Sequence, residues 1–465
     1  MANCKYTELN ADNLTPISIY ENLDGRNKFL LESSRHHDEK GRYSFIGADP
    51  YMELTGNGDV TTIYDHRRGT AISRSEPVLH VFQAVCPQQD ITLPFPFFGG
   101  AVGYIGHDAI RSQETIGGDL QADSAMPDAH LMLYQSIIVY DHHAESVFLV
   151  TVTMDQASED ILDERLEKLK KALRPFPTAD LPADEAMTFQ PEMDQAQFMD
   201  LVQQAKNHIS QGDVFQIVLS QRMKAPITSD PFAYYRKLRK ANPSPYMFYI
   251  NFSDYTVLGA SPESLVDIHG SDVTANPIAG TRPRGGTAAE DEVLLQDLTT
   301  DQKEIAEHKM LADLSQYDLG RICEQNSVRF SRYMTVEYYQ HVMHMVSEVH
   351  GKLAAGYTSL DALQACLPAG TVSGMPKSRA MAIIDQLEDN RRGFYGGGVG
   401  YISFNHDLNM ALAIRSLIIQ GDQAILQTGA GIVADSDPAS EYAETLNKAK
   451  ALMDVSAHHV TSGQT

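Results

Sequence analysis

The sequence predicts an α+β protein in which strands and helices do not alternate regularly. Short segments rich in β-branched and aromatic residues cluster together, and only a few long segments have helical spacing. The chain has 465 residues, of which 43% are hydrophobic and 21% charged, so it can bury large cores. At about 150 residues per domain, the length suits two large units or three smaller ones.

The N-terminal part is predicted to be mostly antiparallel strands followed by one helix. Gly, Asn and Asp, which favour turns, separate the strand segments. These segments cover residues 42–46, 60–64, 131–140 and 146–154. Leucines and an isoleucine at helical spacing predict a helix over residues 155–173.

Residues 174–194 are the stretch least suited to packed structure. They contain Pro175, Pro177, Pro182 and Pro191 among small and acidic residues, a composition typical of a connector. The sequence therefore predicts an N-terminal region over residues 1–175 and a C-terminal domain over residues 192–456.

The C-terminal domain is predicted to combine long helices with strands. Phe198, Leu201, Val202 and Ala205 form one apolar helical face, and Gly212 follows it as a stop signal. The predicted helices are 194–211, 297–315 and 441–452, and the predicted strands are 215–221, 398–404, 410–419 and 424–427.

The charge balance narrows the class of partner. Subtracting 61 Asp and Glu from 37 Lys and Arg gives a net charge of −24, which argues against duplex nucleic acid or an anionic membrane surface. The four cysteines form no CxxC pair, which suits a reducing compartment. No run of 18 apolar residues and no apolar leader occurs, so the expected location is the cytoplasm, without a membrane partner.

Two pairs of carboxylates have a spacing that suits a metal ion. Glu304 and Glu307 share one face of a predicted helix, and Glu441 and Glu444 share a face of another. Two such helices could hold a hard divalent cation such as Mg²⁺, which keeps waters and an anionic substrate in its shell. The alternative is a pair of solvated acidic faces.

Two glycine-containing segments could approach an anion. Residues 427–434 match the dinucleotide fingerprint superficially, but the Asp and Pro residues of 435–438 would break the helix that this fingerprint opens. What remains is a run of small residues whose backbone N–H groups could meet an anion. Residues 277–285 combine Pro and Gly with arginines that suit carboxylates, although a basic surface loop is the simpler interpretation.

Six segments together resemble the chorismate-utilising enzyme family, in the family's order and within residues 20 to 453. They are PIAGTRPRG at 277–285, KEIAEH at 303–308, DLGR at 318–321, PAGTVSGMPKSRAM at 368–381, YGGGVGY at 395–401 and QTGAGIVADSDP at 427–438. The resemblance implies a sandwich of antiparallel sheets with helices packed outside. One departure is Ser315-Gln316-Tyr317, where relatives usually read Ala-Arg-Asn.

Two positions indicate which member of the family the chain resembles. Family members that activate water carry a lysine where this chain has Gln216, and members that attack covalently carry one where it has Ala279. The first difference favours ammonia as the nucleophile, and the second leaves no side chain for covalent attack. The implied reaction is chorismate plus ammonia to anthranilate plus pyruvate, the first committed step of tryptophan biosynthesis. A separate glutamine amidotransferase subunit would supply the ammonia, in a heterotetramer.

The resemblance also implies roles for individual residues. Glu263 would be the general acid, and Gln216 would lie at the nucleophile. His344 would transfer a proton at carbon 2, beside Thr371. Without the resemblance, His344 on its apolar stretch would be interpreted as a buried core histidine. The implied substrate-binding residues are Gly280, Thr281, Tyr395, Arg415, Gly429, Ala430 and Gly431. The implied Mg²⁺ ligands are Glu307 and Glu444, supported by Glu304 and Glu441.

A feedback site for tryptophan is implied by two further matches, one in each region. Ser33 would contact the ligand from the N-terminal region, while Pro245, Tyr246 and Met247 would contact it from the C-terminal domain. The alternative is that both segments simply pack together.

Two rival functions remain: a relative that aminates chorismate without releasing pyruvate, and a catalytically silent tryptophan-binding protein.

Overall fold

A computed structural model describes residues 3–33, 41–112, 116, 120, 126–154, 159–174, 187–339 and 342–453. These residues form helices and antiparallel sheets, which confirms the predicted α+β class. Residues 175–186, most of the predicted connector, lie outside the described residues, as do 454–456 at the end of the predicted C-terminal domain.

The helices of the described chain include 155–173, 194–211 and 441–452 as predicted, with shifts of a few residues at their ends, together with helices that were not predicted. They are α1 Pro16–Asn22, α2 Val78–Val85, α3 Glu159–Lys170, α4 Gln195–Ser210, α5 Pro231–Ala241, α6 Ala288–Thr300, α7 Gln302–Gly320, α8 Ser359–Cys366, α9 Lys377–Leu387 and α10 Pro438–Met453. Short 3-10 turns cover His107–Ser112 and Gly370–Val372. None of these helices is long and apolar enough to cross a membrane.

The strands are numbered in chain order. They are β1 Asn3–Asn10, β2 Phe29–Glu32, β3 Tyr43–Gly47, β4 Met52–Asn57, β5 Val60–Asp65, β6 Thr70–Arg74, β7 Gly100–Ile105, β8 Ala129–Tyr134, β9 Ser136–Asp141, β10 Ser146–Thr153, β11 Gln190–Pro191, β12 Gln216–Pro226, β13 Tyr246–Asn251, β14 Thr256–Ser261, β15 Ser264–His269, β16 Asp272–Asn276, β17 Ile278–Pro283, β18 Arg329–Tyr338, β19 Val342–Lys352, β20 Gly374–Met375, β21 Gly398–Ser403, β22 Leu408–Leu412, β23 Ser416–Gln420 and β24 Gln423–Ile432.

The strands form two large sheets, and each sheet takes strands from both halves of the chain. The first runs β1-β10-β9-β3-β2-β13-β14-β23-β24-β12-β11, with β20 beside β12. The second runs β17-β19-β16-β15-β22-β21-β7-β8-β4-β5-β6, with β18 beside β19. The joins are β2 on β13 and β7 on β21. The predicted regions therefore share both sheets, and their boundary in the connector stays a prediction.

Alternation along β2 shows how the layers are built. Phe29 and Leu31 belong to an apolar core that both sheets share, together with Val102 and Tyr401 of the second sheet. Leu30 points the other way, into a core formed with helices, because successive residues of a strand face opposite sides. The molecule is therefore a sandwich of antiparallel sheets with helices outside, as the resemblance implied.

The predicted strand segment 131–140 is two strands, β8 and β9, which lie in different sheets. Two further predicted elements were wrong in their continuity. The predicted helix 297–315 is two helices, because the side chain of Asp301 accepts hydrogen bonds from the backbone of Lys303 and Glu304 and begins α7. The predicted strand 410–419 is broken between β22 and β23, where Arg415 has a left-handed backbone with φ of 49°. Both breaks lie beside predicted site residues.

Candidate active site

The predicted catalytic residues meet where the 3-10 turn Gly370–Val372, the β14–β15 connection and strands β17, β19 and β24 approach one another. Glu263 lies in the β14–β15 connection and is 7% exposed. The hydroxyl of Thr371, in the 3-10 turn, donates a 3.0 Å hydrogen bond to Oε1 of Glu263. Burial raises the pKa of Glu263 to about 8, and the Thr371 bond partly opposes that rise. The carboxyl therefore carries a proton at neutral pH.

His344 lies on β19 directly opposite Thr281 of β17. Its Nδ1 lies 2.9 Å from Oγ1 of Thr281 and 3.3 Å from the carbonyl of Gly280, where β17 bulges with φ of 69°. Nε2 is buried and has no partner among the described residues. Burial lowers the pKa of His344 to about 4, and the charge of Arg415 adds to this. The imidazole is therefore neutral, with one nitrogen held and the other available.

Arg415 is a cation without a matching anion in the described part of the chain. Its left-handed backbone turns the chain between β22 and β23, and no described residue pairs or hydrogen-bonds with its guanidinium. Burial lowers the pKa of Arg415, while Tyr339 and Glu263 counteract this shift. A half-buried guanidinium without an anionic partner among the described residues suits the carboxylate of a ligand.

The glycines of β24 make room for two polar side chains. A Cβ atom at Gly429 would lie 2.8 Å from the hydroxyl oxygen of Tyr395, and one at Gly431 would lie 2.6 Å from Nε2 of Gln216. The predicted anion-binding run is thus part of a strand, with Ala430 opposite Leu219 of β12. On its other side, the pairing of β24 with β23 ends at Leu426, so no strand of the described chain pairs with that edge of the glycine segment.

The predicted metal ligands lie on α7 and α10. Burial raises the pKa of Glu307, and the charges of Glu304 and Glu444 add to the rise. Burial likewise raises the pKa of Glu441, and Glu444 again contributes. The four carboxyls are therefore close enough to repel one another, which a bound cation would relieve.

The charge partners of these carboxylates were not predicted. Arg282 donates to Oε1 of Glu304 at 2.9 Å, and Lys448 lies 2.7 Å from Oε1 of Glu444. Lys448 also donates to the carbonyl of Gly429 at 2.9 Å. The sequence signal for the pair of Lys448 with Glu444 was their spacing of four residues, which places both on one face of a helix. Gln216 approaches the same group, with Nε2 3.4 Å from Oε1 of Glu307.

The fit of this cluster to Mg²⁺ rests on its donor set. All four side chains offer carboxylate oxygens, the ligands that Mg²⁺ prefers, and Mg²⁺ commonly takes only one or two carboxylates beside waters and substrate. In the part of the chain that the structure describes, no group of three acidic, His or Cys side chains is arranged as a complete metal site. The donor chemistry therefore fits a Mg²⁺ site whose remaining ligands are waters and a bound substrate.

The predicted inhibitor-binding residues come together at the join between β2 and β13. Met247 pairs with Glu32, which places Ser33 next to the position of Tyr246. Pro245 is buried, and Oγ of Ser33 is buried without a partner among the described residues. Residues 34–40, which follow Ser33, lie outside the described residues.

Comparisons with known proteins identify the family. The profile of the chorismate binding enzyme family matches residues 26–454. Anthranilate synthase component 1 of Lactococcus lactis subsp. lactis (strain IL1403) is 42% identical over 456 residues, which cover 97% of this chain and 99% of that protein. The same component of Aquifex aeolicus (strain VF5) is 40% identical over 461 residues, covering 96% and 93% of the two chains.

A solved structure supports the same assignment. The crystal structure of anthranilate synthase component I from Streptococcus pneumoniae TIGR4 has a TM-score of 0.82 and 38% identity, and the match covers 96% of this chain and 98% of that one. Residues from five of the six motifs lie at the candidate site, and the family profile spans nearly the whole sequence. The chain therefore belongs to the chorismate binding enzyme family.

Proposed function

We propose that this chain is the large subunit of an anthranilate synthase, which converts chorismate and ammonia to anthranilate and pyruvate. The observation that carries the proposal is that Glu263, hydrogen-bonded to Thr371, and His344, hydrogen-bonded to Thr281, both lie within the electrostatic influence of Arg415. The relatives named above support the same activity. Gln216 and Ala279 stand where family members with other nucleophiles carry lysine.

The first proposed step adds ammonia at carbon 2 and expels the ring hydroxyl. Glu263 gives its proton to that hydroxyl, which leaves as water, and the nitrogen bonded to carbon 2 loses its extra proton to solvent. A carboxyl with a pKa of about 8 is protonated at pH 7 and can still release its proton, which is why burial suits this role. Thr371 orients the carboxyl through its hydrogen bond.

The second proposed step makes the ring aromatic. His344 takes the proton from carbon 2 through Nε2, and the bond between the ring and the enolpyruvyl oxygen breaks. The enolpyruvyl group leaves and becomes pyruvate by taking up a proton at its methylene carbon. A neutral imidazole can accept that proton, whereas a charged one could not, so the lowered pKa of His344 suits this role.

Binding of the substrate is proposed to use its carboxylates. Arg415, the hydroxyl of Tyr395 and the free edge of the Gly429–Gly431 segment would hold one carboxylate, with Gly280 and Thr281 nearby. Glu307 and Glu444, supported by Glu304 and Glu441, would hold Mg²⁺. When bound, Mg²⁺ would neutralise charge on the ring carboxylate inside an acidic protein.

The proposed partner is a glutamine amidotransferase subunit, in a heterotetramer in the cytoplasm. Ammonia is mostly ammonium at neutral pH, so a partner that releases the free base near Gln216 would be an advantage. The N-terminal region is proposed to bind tryptophan through Ser33, together with Pro245, Tyr246 and Met247, as a feedback inhibitor.

Pyruvate release from chorismate tests the proposed function. We expect pyruvate and anthranilate in equal amounts with ammonium salt, and turnover with glutamine only after the partner subunit is added. An aminated product without pyruvate would favour the rival reaction. Binding of tryptophan without turnover of chorismate would favour the silent binding protein.

A further inference from the structure

A buried ion pair behind the candidate active site is not used by the proposed reaction. Glu388 directly follows α9, and Arg392 follows four residues later, outside any helix. Nε and Nη2 of Arg392 donate to the two oxygens of Glu388, at 2.8 Å and 2.7 Å. The two side chains are 3% and 6% exposed, for Arg392 and Glu388 respectively. Burying two charges is costly unless their remaining hydrogen-bonding groups are satisfied.

The remaining bonds of the pair go to the backbone of β12. Nη2 of Arg392 also donates to the carbonyl of Val218 at 2.7 Å, and Oε1 of Glu388 accepts from the backbone N–H and the hydroxyl of Ser220, at 2.8 Å and 2.9 Å. On this edge of β12, β20 pairs only with residues 216–217 and β11 only with 223–224. The ion pair therefore hydrogen-bonds to the part of the β12 edge that lies between the short strands β20 and β11.

The same pair touches three parts of the proposed site. Val218 and Ser220 of β12 pair with Gly431 and Gly429 of β24. The ion pair therefore contacts the strand that lies beside the glycine segment. Nη1 of Arg392 donates to the carbonyl of Val372, which directly follows Thr371. The guanidinium also lies 5.8 Å from the ring centre of Tyr395.

We infer that Arg392 and Glu388 are positioning residues, which hold the Thr371 turn against Glu263 and hold β12 beside the Gly429–Gly431 segment. This inference rests on the proposed function. The pair acts through its neighbours, because all three guanidinium nitrogens and both carboxylate oxygens are engaged within the protein. A purely structural pair would stabilise the fold without influencing the ionisation of Glu263.

The pH dependence of turnover separates these two roles. Thr371 stabilises the carboxylate form of Glu263, so a displaced turn raises the pKa of that carboxyl. Because Glu263 acts in its protonated form, the alkaline limb of the rate profile should then move to higher pH. Ammonium-driven rates are measured from pH 6 to 10 at constant free ammonia, so that the ionisation of ammonium does not shape the profile.

The test compares four variants of the full chain. Thr371→Val removes the hydroxyl directly and serves as the reference. Arg392→Lys keeps the charge but cannot make the same set of bonds. We expect it to lower kcat by about tenfold and to move the alkaline limb up by about one pH unit, in the direction of Thr371→Val. Glu388→Gln is expected to shift the limb in the same direction, and replaces Arg392→Lys if that variant does not fold.

Arg236→Lys is the matched control, because Arg236 pairs with Glu21 at 3.0 Å between α5 and α1, away from the proposed site. It should lower the melting temperature without moving the limb. The inference is overturned if Arg392→Lys and Glu388→Gln keep the wild-type limb, whether or not Thr371→Val shifts it. Failure of the wild type to turn over chorismate is a different result: it rejects the proposed function, and this inference with it.

Discussion

Thr281 and His344 face each other across β17 and β19, with Oγ1 of Thr281 2.9 Å from Nδ1 of His344. The carbonyl of Gly280 is 3.3 Å from the same nitrogen. When Nδ1 carries the proton and donates it to these oxygens, the lone pair of Nε2 is free to accept a proton. A bulge in one strand thus selects the tautomer that the second proposed step needs.

Replacing His344 should separate the two steps of the reaction. We expect His344→Gln to aminate chorismate but release pyruvate at least about 100-fold more slowly, since a positioned general base contributes on that order. Quenched reactions, analysed by chromatography, should show the aminated, non-aromatic intermediate. His350→Gln is the control on the same strand, because both nitrogens of His350 are engaged, by Thr274 and Glu348. Equal loss of both steps in His344→Gln would indicate a binding role instead.

The raised pKa of Glu263 predicts that this residue destabilises the fold at alkaline pH. Its folded pKa of about 8 exceeds the ordinary value of 4.5, so the associated stability is present below pH 4.5 and is lost as the pH rises to about 8. Glu263→Gln removes the buried charge, and we expect it to raise the melting temperature at pH 8.5 by several degrees but not at pH 4. Turnover should be lost at both.

Glu348 offers a matched control for this measurement. Burial would raise the pKa of Glu348, but hydrogen bonds from Ser331, His350 and other neighbours lower it well below its usual range. Glu348→Gln should therefore reduce stability at pH 8.5, the opposite sign. An unchanged melting temperature in Glu263→Gln at pH 8.5 would contradict the charged state assigned to that carboxyl.

The fold class and the membership of the site could be predicted because they depend on local signals. Segments rich in β-branched and aromatic residues predicted strands such as β10, and the family resemblance assigned roles to Glu263, His344 and Arg415. The sharing of both sheets by the two halves could not be predicted. Pairings such as β2 with β13 join residues about 220 positions apart, and no local pattern specifies which strands become neighbours.

The breaks in elements were missed because a short-range signal competes with periodicity. Asp301 is a strong N-cap residue, but the apolar spacing continues past it, so one long helix was predicted. Arg415 gives no warning of its left-handed backbone, which favours glycine or asparagine. The contact between Glu388 and Arg392 was also not predicted. A spacing of four residues indicates an ion pair along a helix, but α9 ends at Leu387, before both residues.

The acidic cluster predicts a requirement for a divalent cation. We expect Glu307→Gln to lose Mg²⁺-dependent turnover by at least about 100-fold while keeping the melting temperature, since the variant removes a charge that its neighbours repel. Excess chelator should inactivate the wild type, and added Mg²⁺ should restore it. Glu292→Gln, an exposed acid on α6, is the control. Full activity of Glu307→Gln, or of the wild type in chelator, would reject the metal assignment.

Feedback inhibition can be tested with the ligand's own fluorescence, because the chain contains no tryptophan. The buried hydroxyl of Ser33 has no partner among the described residues. The preceding residue, Glu32, pairs with Met247 across the join between β2 and β13. A larger side chain at position 33 would fill this space. We expect Ser33→Leu to keep most of the turnover but to abolish the change in indole emission that wild type causes.

The same experiment checks whether binding and inhibition are coupled. Tryptophan can inhibit only by binding more tightly to a less active arrangement, so chorismate must weaken tryptophan binding by the same factor by which tryptophan weakens chorismate binding. Titrating tryptophan with and without chorismate, in wild type and in Ser33→Leu, measures both factors. Ser33→Ala is the matched control, since it removes the hydroxyl without filling the space and should bind more weakly than wild type. Insensitivity of the wild type to millimolar tryptophan, or equal inhibition of Ser33→Leu, would show that the site is wrong.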